Sequence, residues 1–174
     1  MKRAAAPVLA ALALVAITMG PARAAPGDTT TTFTITAGSL SVSVPASANL
    51  GSTATGSSSA AGQLGAVTVT DTRGALVATW TATASTTTFT TGGATANETV
   101  AKSAIAYSSG AATATTGTGA FTPGVLANMS SAGTAGGWVG VGNDSATWNP
   151  TLTLTLLSTQ VAGTYSGTVN HSVA

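Results

Sequence analysis

The sequence predicts an all-β protein, either an antiparallel β-sandwich or a partly closed, Greek-key-like barrel. Three observations point there. Apolar residues alternate with threonine or serine in two long stretches, VTVTDTRGALVATWTATAS at 67–85 and NPTLTLTLLSTQVAGTYSGTVNHSVA from Asn149 onward. Turn-forming Gly, Pro, Asn and Asp separate these and shorter runs. Beyond the N-terminal segment, no stretch repeats apolar residues at the 3.6-residue period of a helix.

The elements follow in order. After a polar lead-in over 25–32, Phe33 and Ile35 open the first expected strand, and Leu40, Val42 and Val44 alternate with serine until Pro45. Residues 46–65 are rich in Ser, Gly and Ala and read as a long loop. A hairpin follows, with Val67 and Val69 on one face of its first strand and a type I turn at Asp71-Thr72-Arg73-Gly74. Its return strand places Leu76, Ala78, Trp80, Ala82 and Ala84 on one face, and the small alanines leave room for the indole. A threonine run around Phe89 is strand-prone until Gly92-Gly93. Ile105 and Tyr107 share a face of another strand, and 108–119 is of low complexity. The glycine-rich stretch 121–142 reads as irregular, with Trp138 in or beside a loop. Trp148-Asn149-Pro150 introduces two closing strands, one carrying Leu152, Leu154 and Leu156, the other Tyr165, Gly167, Val169, His171 and Val173.

The N-terminus has the pattern of a secretory signal: Lys2 and Arg3, an apolar run over 7–19, then Ala22-Arg23-Ala24. Cleavage after Ala24 is expected, so residues 1–24 are the signal peptide and Ala25 the mature start. Three of the five basic residues leave with it; Arg73 and Lys102 then face Asp28, Asp71, Glu98 and Asp144, a net charge of −2. Two cations cannot neutralise a row of phosphates, which argues against nucleic acid and, after cleavage, against anionic membrane as partners. The absence of cysteine excludes disulfides, thiolate metal sites and a lipid-modified cysteine.

The frame Asp71-x-Arg73, Trp80-Thr81-Ala82 and Tyr165 followed six residues later by His171-Ser172-Val173 resembles the WxL cell-surface domain of Gram-positive bacteria. That family shows a V-x-V-x-D-x-R hairpin running into a W-x-L strand, and a closing strand with a second W-x-L. Here alanine replaces the first leucine, and histidine and valine stand at the second motif. The resemblance implies a single all-β domain over 33–174, and a secreted protein bound non-covalently to peptidoglycan or to other cell-surface proteins.

The candidate site residues divide by environment. Trp138 and Trp148 lie among Gly, Asn and Pro; either they cover a sheet end or they are the candidate aromatic surfaces for stacking on wall glycan, with His171 where the family has tryptophan. Asp71, Arg73, Trp80 and Tyr165 form the family-like structural motif, with Asp71 accepting turn hydrogens while Arg73 pairs with it or lies over the sheet edge. No catalysis is expected. A glycosidase needs two carboxylates, and the four present fall in a tail, a turn and two loops. A serine hydrolase's G-x-S-x-G elbow is absent, and one histidine without cysteine supplies no zinc site. No cofactor or metal is implied. A second reading is a self-assembling subunit of a surface layer or fibre, because the strands carry almost no charge to protect their edges from pairing with other copies.

Overall fold

The computed structural model describes Gly27 and residues 29–174; the expected signal peptide, 1–24, lies outside the described residues. Residues Ile35–Ala174 form one compact unit, and the described residues of the unit before it contain no strand.

The fold is an all-β sandwich of antiparallel sheets. Its strands are β1 (Leu40–Ser43), β2 (Ser59–Gln63), β3 (Val67–Thr86), β4 (Phe89–Thr90), β5 (Thr99–Val100), β6 (Ile105–Ser108), β7 (Ala112–Pro123), β8 (Val125–Leu126), β9 (Gly133–Trp148), β10 (Thr151–Thr155) and β11 (Val169–Val173). One sheet has the order β1-β3-β9-β7, with β11 also beside β3, farther along it than β1. The other has the order β2-β10-β6-β8, and β4 and β5 form a separate pair.

The long sheet is folded over on itself. Trp138 and Trp148 are ten residues apart on β9, which is about 33 Å along a straight strand. Yet both rings stack on Trp80, each with a centroid separation of 6.4 Å. The fold line crosses three neighbouring strands where each carries a glycine at positive φ: Gly74 in β3, Gly117 in β7 and Gly142 in β9. Register shifts occur there in both strand pairs. Between Asp71 and Ala78, β3 advances seven residues while β9 advances four, from Asp144 to Gly140. The odd excess inverts the inward-facing parity, so Val67, Val69 and Asp71 are buried before the bulge and Ala78, Trp80, Ala82 and Ala84 after it.

Folding this sheet encloses one core, made of Val67, Val69, Trp80, Ala82, Trp138, Ala146 and Trp148. A second core lies where Ala84, Phe89, Val100, Ile105, Tyr107, Met129, Ala135, Leu152 and Leu154 pack together.

Several expectations are corrected. Asp71 to Gly74 bulges within one continuous twenty-residue strand instead of turning a hairpin. Leu76 falls in that bulge and is 84% exposed, so it leaves the face it was expected to share with Trp80. The glycine-rich stretch around Trp138 is strand β9, because glycine is needed where strands bend and pack closely. A Cβ on Gly140, for example, would stand 2.3 Å from the Thr118 carbonyl oxygen and 2.5 Å from the Trp138 indole nitrogen. Strand β2 lies inside the expected loop 46–65. Phe33 and Ile35 belong to no strand.

Candidate functional site

The bulge gathers the polar groups of the first core. Asp71 is fully buried; its Oδ1 accepts the Arg73 backbone N–H and Nε–H, both at 2.9 Å, and its Oδ2 accepts from Arg73 Nη2 at 2.7 Å. Arg73 Nη2 also reaches the Thr79 carbonyl oxygen at 2.9 Å, so one guanidinium spans the bulge. This is the expected pairing, set on a bulge and not a hairpin. Directly across the ladder from Asp71 stands Asp144, also buried, whose Oδ1 accepts the Trp80 indole N–H at 2.8 Å. Among the described residues its Oδ2 has no partner, nor does the buried Trp138 indole nitrogen.

The two carboxyls titrate in opposite directions. Hydrogen bonds from Arg73 are the largest cause holding Asp71 below the ordinary carboxylate range, while burial is the largest cause raising Asp144, aided by the neighbouring Asp71 charge. The Asp71–Arg73 pair, with its further bond to Thr79, bridges the fold line.

The structure removes the two tryptophans from the glycan surface. Trp138 is 2% exposed and Trp148 fully buried, so their rings have no face open to a sugar. Phe121 stacks on Trp148 at 5.2 Å. Trp148 donates its indole N–H to the Tyr107 hydroxyl at 2.9 Å, and that oxygen lies 3.1 Å from His171 Nε2. Burial lowers the His171 pKa, favouring the neutral ring, which in its Nδ1–H tautomer accepts a hydrogen bond from the Tyr107 proton at Nε2. Burial also raises Tyr107 to about 12, which keeps that proton in place. His171, half-buried on β11, thus ties the closing strand to both cores.

Tyr165 lies apart from this cluster. Its hydroxyl donates to the Asn97 and Val161 carbonyl oxygens, each at 3.0 Å. It walls a groove of about 710 Å3 whose apolar lining includes Leu50, Phe89, Val100, Leu154 and Leu156, with Gln160 among the polar residues.

A different surface is more exposed. Strand β7 is terminal in its sheet: one side pairs with β9, and among the described residues no strand pairs with the other. Its sequence ATATTGTGAFTP contains no charged residue and lies exposed along most of its length. Beside it, on the outer face, Val139 and Val141 are exposed, registered opposite Ala120 and Thr118.

Sequence reasoning missed the roles of Asp144 and Tyr107, and it anticipated uncharged strand edges without locating this one. Asp144 had a readable signal, since it alternates with Ala146 and Trp148 on one strand face. No family model, curated protein or solved structure matches the chain.

Proposed function

We propose that the protein is a secreted, non-catalytic module of the cell surface that assembles with protein neighbours by adding a strand to its sheet edge. The observation that carries this reading is the twelve-residue, uncharged outer edge of β7. Free edges present a row of backbone donors and acceptors, and natural proteins usually protect them with lysine, proline inside the strand or a covering loop. Here the sole proline, Pro123, stands at the strand's last position. The resemblance to WxL surface proteins supports the same cell-surface setting, and the burial of Trp138 and Trp148 turns the reading from aromatic stacking on peptidoglycan toward protein contact.

The groove beside Tyr165 favours a second reading, non-covalent binding of wall peptidoglycan, because an apolar floor with polar groups around it suits a sugar-peptide polymer. Sedimentation velocity of purified residues 25–174 separates the two when paired with pelleting on peptidoglycan sacculi. The edge reading predicts reversible, concentration-dependent association without wall, little changed by salt because neither partner surface is charged, and no saturable pelleting. A protein that remains monomeric at every concentration and saturates the sacculi would overturn it.

A further inference from the structure

We propose that the strand added to β7 is residues 29–36 of a second copy of this chain; this rests on the edge-assembly reading above. The segment reads Thr-Thr-Thr-Thr-Phe-Thr-Ile-Thr, with apolar residues two apart among β-branched ones, the pattern of a strand with one apolar face. It belongs to no strand, and Phe33 and Ile35 are 87% and 84% exposed. Strand-forming residues are thus present without a sheet to join.

The acceptor matches in chemistry and spacing. Val139 and Val141, also two apart, stand exposed on the outer face one strand in from the β7 edge. The β7 residues opposite them are the small Ala120 and Thr118, which leave room for larger side chains on an added strand to lean inward. Donor and edge are both uncharged, so no like-charge repulsion opposes the pairing.

With Ile35 in the added strand, the segment cannot lie along its own β7 edge. Gly38 donates its N–H to the Thr72 carbonyl oxygen and Ser39 its N–H to Thr72 Oγ1, which anchors the chain on the β1 side of β3. A strand outside β7 lies four strand spacings from β1 across the sheet, about 19 Å. Ile35 is three residues from Gly38, which span about 10 Å at most. The donor must therefore come from another molecule. Each copy offers one segment and one edge, so the assembly either closes, by reciprocal exchange into a dimer or as a ring, or propagates from copy to copy.

The test uses residues 25–174 carrying either Phe33→Asp with Ile35→Asp, which spoils the segment, or Thr118→Lys with Ala120→Lys, which charges the edge. All four side chains are exposed, and both variants should melt as the parent does. If one does not, Phe33→Ser with Ile35→Ser, or Thr118→Lys alone, replaces it. In sedimentation velocity the parent associates into dimers or larger species and each variant alone is a monomer. Mixing the two variants yields a heterodimer and nothing larger, because only one segment and one edge remain. Assembly of the segment variant like the parent would overturn this inference, while loss of assembly in the edge variant alone would leave the edge reading standing. Undiminished assembly of the edge variant, or a monomeric parent, would overturn both.

Discussion

Trp80→Ala should destabilise the protein by about 3 to 5 kcal/mol, the usual cost of deleting a large buried aromatic. The ring is 3% exposed and lies against Phe121, Trp138 and Trp148, so its removal opens a cavity between the two halves of the folded sheet. It also takes from Asp144 its only donor among the described residues, and that carboxyl's pKa is already raised by burial. For a domain of this size the loss should lower the melting midpoint by roughly 6 to 20 °C. Trp80→Phe keeps most of the apolar contact and loses only the N–H, so its drop should be smaller. Equal midpoints for the parent and Trp80→Ala in a thermal or urea melt would show that the fold does not depend on this ring.

Gly117→Ala should be the other severe change, at about 2 to 5 kcal/mol from a left-handed backbone combined with overpacking. Gly117 has φ +90, and a Cβ there would stand 2.5 Å from the Asn143 carbonyl oxygen and 2.8 Å from the Asp144 Cβ. Neither neighbour is the free end of a flexible side chain, so strand β9 itself would have to move. Gly142→Ala is the control: it shares the positive φ, at +77, but no atom lies within 4 Å of its Cβ. Its loss should be confined to backbone strain, about 1 to 2 kcal/mol. Equal urea midpoints for the two variants would contradict close packing at the fold line.

The contrast between these glycines shows what was legible in the sequence. Strict alternation in 78–84 and at Leu152 and Leu154 identified strands and their inward faces, because a half-buried strand has a period of two and each residue reports its own side. The bulge defeated the same logic. Asp71-Thr72-Arg73-Gly74 has the residues of a reversing turn, and only its neighbours across the sheet, Gly117 and Gly142, make it a bend in a continuing strand. Glycine-rich β7 and β9 resembled loops for the same reason: their stability comes from cross-strand pairing, which local propensity does not encode.

The site was legible in part. Pairing of Asp71 with Arg73 is local, two residues apart, and followed from turn chemistry. Burial of Trp138 and Trp148 is not local; it depends on two strand halves meeting ten residues apart. His171 needed Tyr107, 64 residues away, to acquire a role. Phe33 and Ile35 have the two-residue alternation of a strand, yet they belong to none and are exposed, because alternation reports a face and not a pairing partner.

The central claim is that the outer backbone of β7 is where neighbours join, and amide hydrogen exchange resolved along β7 tests it most directly. In an edge strand, alternate amides point away from the sheet and exchange quickly in the monomer. Comparing dilute monomer with the assembled protein, those outward amides between Ala112 and Pro123 should become strongly protected, while the amides of β10, inside the other sheet, should not change. Assembly that leaves every β7 amide exchanging at its monomer rate would contradict the account.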